Sequence, residues 1–372
     1  MVKSCSSKLA LSAILAVSVP FLTICQESGA TPQWQQSNKS AETSQASVGN
    51  TIRAQAIEVL APVVVTDKKG RLILDLTEHD FKIFDDGVKE PIEHFGIGSE
   101  RVSIVLILEC SARIKPLLPD IRKSGIVFAQ PVKGQSGEAA IIEYDSAART
   151  LVDFTADSES LENAIENVQP GDADANLYDA MRAGISLLGT RPPGQHRVLI
   201  VMGESIDTGS ESKLGEVLRQ AEVANVTIYS VGLSTTAAAW HTPSPKASGS
   251  RDLPPLETGN NREMDVNRKM QSGADLTGLA VWLVQTGKTA MGPNALAVAC
   301  KSTGGLHVPS KDGPSMEEAL DSIGGELHAQ YTIGYSPPID KAIGFHLIKV
   351  TVDRSGVMLR TRPGYYISPP TK

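Results

Sequence analysis

Cysteine, aromatic residues and basic charge are all scarce in this chain of 372 residues. Aromatic residues make up 5% of the sequence, which is too few for a surface that stacks nucleic-acid bases. The formal net charge of −7 provides no positive excess to bind a phosphate backbone, so we expect no nucleic-acid partner. The four cysteines show no Cys/His spacing of the kind that holds zinc.

Long apolar runs are scarce too, except near the start of the chain. Lys3 and Lys8 precede an apolar stretch at 9–24, and small residues follow at 28–30, so we expect residues 1–30 to be an export signal. A bilayer span needs about 20 apolar residues, and this stretch is shorter. Two alternatives stay open: an uncleaved N-terminal anchor that tethers the protein to a membrane, and lipid attachment at Cys25. We expect a secreted, periplasmic or cell-envelope protein.

Two cysteines, Cys110 and Cys300, remain once the expected signal is removed. An oxidising compartment would allow one disulfide between them. Two separate buried thiols are the simpler expectation.

Composition and hydrophobic pattern divide the rest of the chain into regions. Residues 31–50 are rich in Gln, Ser, Thr and Ala, which predicts a flexible linker. Residues 51–100 form an N-terminal β region, in which Asp85-Asp86-Gly87 is a hairpin turn. Its predicted strands cover 57–66, 72–76, 81–84 and 92–97. Residues 331–372 form a C-terminal β region with predicted strands at 331–335, 345–352 and 357–362.

Neither β region has enough strands to bury two faces by itself, and isolated hairpins are marginal in water. We therefore predict that the two regions touch and form one β-sandwich, divided in sequence by the residues between them. Two separate small β units are the alternative.

Strands alternate with amphipathic helices between 101 and 330. Residues 103–108 and 198–202 are almost wholly apolar, which is typical of central parallel strands buried on both faces. Apolar stripes at helical spacing begin at Leu161, Leu177 and Leu214, and a further helix is predicted to begin at Ser315. This alternation predicts an α/β fold: an open, mostly parallel, Rossmann-like sheet with helices on both faces.

Residues 234–292 interrupt this α/β pattern as an irregular, proline-rich insertion. The insertion follows the predicted strand 226–231. We therefore expect it beside the edge at which the parallel strands end, where functional loops concentrate.

Several short motifs resemble a known family. They are the apolar strand ending in Glu109-Cys110-Ser111, the stretch 64–71, Leu177-Tyr178-Asp179-Ala180, Thr303-Gly304-Gly305 and the closing stretch 362–366. In order and spacing they resemble von Willebrand factor A (VWA) domains, in particular the VWFA-related proteins described mainly from acidobacteria. The resemblance implies a binding or adhesion module that holds a divalent cation at a metal-ion-dependent adhesion site. In that family the site begins Asp-x-Ser-x-Ser, and later loops add a Thr and a second Asp.

This sequence departs from the family pattern at most ligand positions. Ser111 matches, but Glu109 stands where the first Asp is expected, and Arg113 replaces the second Ser. Ala175 falls at the Thr position and Glu204 at the second Asp. The longer acids fit Mg²⁺ geometry poorly, and a guanidinium repels a cation and pairs with carboxylates. We therefore predict a degenerate site, with no cofactor or with weakly bound Mg²⁺ or Ca²⁺.

The candidate residues fall into two overlapping groups. The remnants of the metal site are Glu109, Ser111, Glu204 and Asp174, and the face that binds a partner adds Arg113 and Asp172. The alternatives are ordinary: solvated loop acids, turn-forming aspartates, and Ser111 as a helix N-cap.

The function that we expect is that of an exported, non-enzymatic adhesion or scaffold protein with an unidentified protein partner. A structural envelope protein without a ligand, and a hydrolase, are the alternatives. The hydrolase is disfavoured because the sequence has no nucleophile elbow, no zinc-protease motif and no phosphate loop. In addition, His196 precedes its strand and should lie at the opposite end of the sheet from Glu204.

Overall fold

The computed structural model describes residues 58–98, 101–134, 137–192, 194–234, 294–338 and 340–368. The expected signal at 1–30, the linker at 31–50 and the insertion at 234–292, apart from Ser234, lie outside these described residues. In the described part of the chain, no helix combines the length and apolar character that a membrane span requires.

The described residues form strands and helices with the following bounds. The strands are β1 (Val59–Asp67), β2 (Phe81–Asp85), β3 (Val88–Glu90), β4 (His94–Ile97), β5 (Val102–Glu109), β6 (Glu138–Tyr144), β7 (Ala148–Thr155), β8 (His196–Gly203), β9 (Val226–Gly232), β10 (His307–Pro309), β11 (Tyr331–Tyr335), β12 (Gly344–Val352), β13 (Val357–Thr361) and β14 (Gly364–Ile367). The helices are α1 (Leu118–Gly134), α2 (Ser158–Glu166), α3 (Leu177–Gly189), α4 (Leu214–Val223), α5 (Ala295–Thr303) and α6 (Gly313–Ala329).

A six-stranded sheet in the order β10-β9-β8-β5-β6-β7 forms the centre of the α/β part. All of its neighbouring strands are parallel except β7, which runs antiparallel to β6 at the edge. Alternate residues of β5 belong to two different cores: Val105 and Ile107 pack with α3, α4 and α5, and Ile104 and Leu106 pack with α1, α2 and α6. Burial on both faces explains why the strand is apolar throughout. The predicted fold class is confirmed.

The predicted helix start at Ser315 is wrong by two residues. Helix α6 begins at Gly313, and Asp312 is its N-cap, because the Asp312 carboxylate accepts a hydrogen bond from the Ser315 amide at 3.0 Å. Ser315 is the third helical residue, and its hydroxyl oxygen accepts a hydrogen bond from the Asp312 amide at 3.1 Å. The capping box is therefore real but is formed by a different pair of residues.

Strands from the two ends of the chain pair with each other in two four-stranded sheets. One has the order β13-β1-β11-β4, and the other has the order β14-β12-β2-β3. Their inner faces share one core, to which both β regions contribute, for example through Val63, Ile83, Tyr331 and Val350. The predicted contact between the two regions is confirmed by this pairing. Within the described residues, the predicted strand at 72–76 is wrong, because only a single bridge joins Leu72 to Thr66.

Cys110 and Cys300 are free thiols, each fully buried. Cys110 lies in the core on one face of the central sheet, and Cys300 lies in the core on the other face. Burial raises the pKa of both thiols to about 12. The prediction of two buried thiols is confirmed, and a disulfide between them is ruled out by their positions on opposite faces of the sheet.

Candidate functional site at the strand ends

The candidate site lies where the direction of the sheet connections reverses. Strand β5 is followed along the chain by β6 on one side, whereas β8 and β9 continue on the other side. Ligands of open α/β sheets bind at such a switch point, beyond the carboxyl ends of the strands. Glu109 ends β5, and Glu204 follows the last residue of β8, so the two acids meet at this place.

Glu109 is fully buried and is surrounded by hydrogen-bond donors. The Ser111 hydroxyl donates to Oε1 at 2.5 Å, and the Glu204 amide donates to Oε2 at 2.6 Å. The Tyr144 hydroxyl donates to Oε2 at 3.5 Å. Burial nevertheless raises the pKa of Glu109, and the donors and Arg113 only partly offset this effect.

Arg113 lies between the two strand-end acids. It belongs to a short 3₁₀ segment, Ala112–Leu117, directly after β5. Its Nη2 lies 3.6 Å from Glu109 Oε1, and its Nε lies 3.9 Å from Glu204 Oε2. At these distances both contacts are ion pairs rather than hydrogen bonds. Both nitrogens are buried without a hydrogen-bond partner among the described residues.

The residues at this position do not fit a divalent cation. Both oxygens of Glu109 already accept hydrogen bonds, and the positive charge between Glu109 and Glu204 is supplied by the guanidinium. Ala175, at the position of the family's Thr, is buried and offers no side-chain oxygen. A hard cation such as Mg²⁺ requires several oxygen ligands at short and nearly fixed distances.

A loop carrying Asp172 and Asp174 joins the two sides of the site. The carbonyl of Asp172 accepts the Ala112 amide at 2.6 Å, beside Arg113. Further along, the Ala175 amide donates to Thr208 Oγ1 at 2.8 Å, in the loop that follows Glu204. Both aspartates are exposed, and the Asp172 carboxylate accepts the Ser146 hydroxyl at 2.6 Å. The predicted face residues therefore lie in neighbouring loops of one sheet edge.

Asp145, which the sequence analysis did not single out, holds this loop in place. It is almost fully buried, and its carboxylate accepts the Asp172 amide at 3.1 Å and the Ala147 amide at 3.0 Å. Arg149 donates to both carboxylate oxygens, at 2.8 and 2.9 Å, and holds the pKa of Asp145 well below its usual range. An available signal was its position directly after β6, which matches the position of Glu204 directly after β8.

Asp207 fixes the other side of the face. Its Oδ1 accepts the amide of Tyr178 at 3.1 Å and the hydroxyl of Ser210 at 2.5 Å. Tyr178 lies in the first turn of α3, so Asp207 satisfies a helix N-terminus from a separate loop. This contact joins the loop after β8 to α3.

The histidine and serines that a hydrolase would need to bring together, His196, Ser111 and Ser205, do not meet. His196 begins β8, at the end opposite to Glu204, and burial lowers its pKa to about 4. The Ser111 hydroxyl donates to Glu109, and the Ser205 hydroxyl donates to Asn294 Oδ1 at 2.5 Å. The predicted separation of His196 from the strand-end site is confirmed.

The strand order and the helices on both faces define the class of fold: an open, mostly parallel, Rossmann-like α/β domain joined to a β-sandwich. No protein-family model and no curated protein matches the chain. Solved structures similar to it include the conserved hypothetical protein BatB from Bacteroides thetaiotaomicron, with 15% identity, 61% of this chain and 98% of that chain covered, and a TM-score of 0.38. A von Willebrand factor type A protein from Catenulispora acidiphila has 9% identity, covers 75% of this chain and 71% of its own, and gives a TM-score of 0.43.

Proposed function

We propose that the protein is an exported, non-enzymatic binding protein that engages a protein partner at the strand-end face. This face consists of Glu109, Ser111, Arg113, Asp172, Asp174 and Glu204. The observation that carries the proposal is the place of Arg113, with ion pairs of 3.6 and 3.9 Å to the two strand-end acids. An internal cation at this point replaces the metal on which the related adhesion sites depend.

The layout of the face supports binding rather than catalysis. Its exposed acids lie on loops that a rigid sheet holds in place, as is common for recognition surfaces. The hydroxyl of Ser111 is committed to Glu109, and His196 lies at the far end of β8. One contact supports a role for the expected insertion at 234–292 near this face: Asn294, the first described residue after it, accepts a hydrogen bond from Ser205, which follows Glu204. We propose that this insertion selects the partner.

The first test concerns the metal. We expect the unfolding temperature of the wild-type protein to be unchanged by millimolar Mg²⁺ or Mn²⁺. A variant with Glu109→Asp, Arg113→Ser, Ala175→Thr and Glu204→Asp restores the family pattern. Its unfolding temperature should rise in Mg²⁺, because a ligand that binds only the folded state stabilises it by mass action.

A control separates the site from general effects of salt. Asp321→Lys changes an exposed residue in the middle of α6 and should leave the response to Mg²⁺ unchanged. A shift of several degrees in the wild type with Mg²⁺ or Ca²⁺ would contradict the arginine-filled site. Asp172 and Asp174 would then be the first residues to test as replacement ligands.

The second test concerns the partner. Immobilised wild-type protein is compared with Asp172→Lys/Asp174→Lys, a charge reversal at the strand-end face, using extracts of the native organism's envelope and culture fluid. We expect some proteins to be retained by the wild type and by Asp321→Lys but not by the double variant. Equal retention by all three proteins would favour a structural protein with no ligand at this face.

The export proposal has a separate readout. We propose that residues 1–30 direct the chain out of the cytoplasm and are removed. The expected result is a mature N-terminus near residue 31 in the secreted or envelope fraction, determined by mass spectrometry. An intact N-terminus in the membrane fraction would instead favour a tether at the start of the chain.

A further inference from the structure

A second cluster of polar side chains lies in the β-sandwich, away from the strand-end face. It contains Asp85 at the end of β2, Asp86 in the following turn, Lys341 between β11 and β12, His346 on β12 and Tyr365 on β14. Nothing in the proposed binding function uses these residues. They bring together an amine, two carboxylates, an imidazole and a phenol at one point of the sandwich.

Lys341 and Asp85 are in direct contact inside this cluster. The Lys341 ammonium nitrogen Nζ touches Asp85 Oδ2. The Asp85 side chain is fully buried, and the Lys341 side chain is 14% exposed. The Tyr365 hydroxyl donates a hydrogen bond to the same Oδ2 at 2.8 Å, and Oδ1 has no hydrogen-bond partner among the described residues. The contact therefore holds the amine nitrogen directly against a carboxyl group that is shielded from water.

A second carboxylate lies within reach of the same amine. Asp86 Oδ2 is 3.6 Å from Lys341 Nζ and 2.8 Å from His346 Nδ1. The other ring nitrogen of His346 lies 2.7 Å from the carbonyl of Ala342, and the Leu347 amide donates to Asp86 Oδ1 at 3.1 Å. These contacts fix the Asp86 carboxylate beside the amine, where it is able to accept and return a proton.

The cluster also has some features of a cation site. Asp85, Asp86 and His346 each offer a ligand atom, and these atoms lie within 4.8 Å of one another. The ammonium of Lys341, however, already contacts both carboxylates. A metal ion would have to displace that charge, so the arrangement fits chemistry between the amine and a carboxyl group better than it fits metal binding.

We propose that Lys341 and Asp85 condense to form an intramolecular amide bond. After proton transfer within the pair, the neutral amine Nζ attacks Cγ of the protonated Asp85 carboxyl group. The C–N bond forms, and the Tyr365 hydroxyl stabilises the charge that develops on the oxygen it contacts. Asp86 takes a proton from the nitrogen and returns it to the departing hydroxyl group, so one C–O bond breaks and water leaves. The ammonium and carboxylate thus become an amide and one water molecule, with no oxidant or cofactor required.

The bond would join the two ends of the divided sandwich. Asp85 belongs to the N-terminal β region, and Lys341 belongs to the C-terminal one, with the whole α/β part between them. A covalent link across such a long stretch of chain restricts the unfolded state strongly. It would also prevent β2 from separating from β12 when force is applied at the ends of the chain.

Intact-mass spectrometry of the denatured full-length protein tests the bond directly. The wild type is compared with Lys341→Arg, which keeps the positive charge but cannot form this amide. We expect the wild type to lack the mass of one water molecule and the variant to have its full sequence mass. In a tryptic digest, the peptide 83–89 should be joined to the peptide 312–349, in which cleavage after Lys341 is blocked. Lys349→Arg, an exchange at an exposed lysine of β12, should keep the bond.

A further variant tests the role of Asp86. Its φ of +50° is tolerated by Asn, so Asp86→Asn should fold, and circular dichroism checks that it does. We expect the bond to form at least tenfold more slowly in this variant. A folded wild-type protein with its full sequence mass and no joined peptide would overturn the proposal and leave the pair as a buried ion pair. Unchanged bond formation in Asp86→Asn would overturn the proton-carrying role of Asp86.

Discussion

Side-chain length decides the chemistry of the strand-end face at the scale of single residues. A serine at position 113 would present a hydroxyl close to the backbone, whereas Arg113 extends far enough to meet acids from two strands. Two strand-end carboxylates with no cation between them repel each other, and burial makes the charge on Glu109 costlier still. The positive charge of Arg113 between the two acids offsets part of this repulsion.

Removing this guanidinium gives a test at the residue scale. Arg113→Met should reduce the free energy of unfolding by about 2–4 kcal/mol near neutral pH, because it leaves Glu109 buried without its counter-charge. A buried carboxyl group with a raised pKa contributes stability at low pH that is lost as the pH rises through that pKa. The deficit of Arg113→Met should therefore be larger at about pH 8 than at about pH 5. Urea unfolding at both pH values measures it.

An exposed arginine supplies the control for this test. Arg182 is 58% exposed and lies 3.8 Å from Asp179, so Arg182→Met should change stability by less than about 0.5 kcal/mol. Adding Glu109→Gln to Arg113→Met should restore most of the loss, since the uncompensated charge is then gone. A deficit that does not depend on pH would show that Arg113 acts through packing alone.

The sequence predicted some of these residues and missed others for a physical reason. Glu109, Arg113 and Glu204 stand at positions that the family resemblance marks, so their meeting could be expected. Asp145 and Asp207 act by accepting hydrogen bonds from backbone amides distant in sequence, at Asp172 in a loop and at Tyr178 in the first turn of α3. An acid that caps a distant loop has the same local sequence as an ordinary turn former, so only the folded chain distinguishes the two.

At the scale of elements, the junction of α5 with β9 explains the motif Thr303-Gly304-Gly305. The Thr303 hydroxyl accepts the Ile228 amide at 2.8 Å, so it binds the end of the helix to the strand. Gly304 ends the helix with a φ of +83°, which a side chain rarely adopts. Gly305 lies against the strand itself, because a Cβ placed on it would be 1.9 Å from the carbonyl oxygen of Ile228.

Two glycine substitutions should therefore have opposite effects. Gly305→Ala should destabilise the protein by about 3 kcal/mol, since the added carbon meets backbone that can only move with the strand. Gly325→Ala should stabilise it by about 0.5–1 kcal/mol, because this glycine lies in α6 with no atom within 4 Å of the added carbon. Urea unfolding of both variants measures the difference. A loss of stability in both would mean that the close approach at Gly305 is not the cause.

The boundaries of two elements show where the local sequence pattern is not sufficient to predict the structure. The stretch 72–76 alternates like a strand, yet among the described residues it makes one bridge, and its Leu76 amide instead donates to the Tyr331 hydroxyl at 3.1 Å. The start of α6 was misplaced because Asp312 and Ser315 are both good capping residues. In each case the local pattern permitted two outcomes, and a tertiary or capping contact selected one.

At the scale of the whole molecule, the divided sandwich was predictable but its strand order was not. Four strands from one end and three from the other cannot bury two faces separately, which predicts their association. The sandwich contains two strands, β3 and β14, that the sequence did not predict. Pairings such as β1 with β11 and β12 with β2 join distant parts of the chain, and no local pattern specifies them.

A buried ion pair ties the sandwich to the α/β domain. Arg362, just after β13, is 3% exposed and contacts the carboxylate of Glu222 in α4. It also donates to Asn225 Oδ1 at 2.9 Å and to the carbonyls of Leu60 and Gly364 at 3.1 and 2.9 Å. One guanidinium thus satisfies acceptors from three separate parts of the chain. Burial raises the pKa of Glu222 to about 7 even beside this arginine.

Arg362→Met should cost about 3–5 kcal/mol of unfolding free energy, because it leaves a buried carboxyl group and several carbonyls without a donor. In the wild type, protonated Glu222 contributes stability that is lost as the pH rises from the ordinary pKa of a glutamate to the raised pKa of about 7. Above that pH the loss of stability levels off. Without the arginine the pKa of Glu222 rises further, so the variant should continue to lose stability above pH 7. Urea unfolding at about pH 6 and pH 8 measures this difference.

An exposed arginine supplies the control. Arg354 forms an exposed pair with Asp75, so Arg354→Met should lose less than about 1 kcal/mol of unfolding free energy at both pH values. Arg362→Met/Glu222→Gln should lose the pH dependence but keep part of the deficit, since the carbonyls remain unsatisfied. An Arg362→Met deficit that is equal at the two pH values would mean that Glu222 does not titrate in the folded protein.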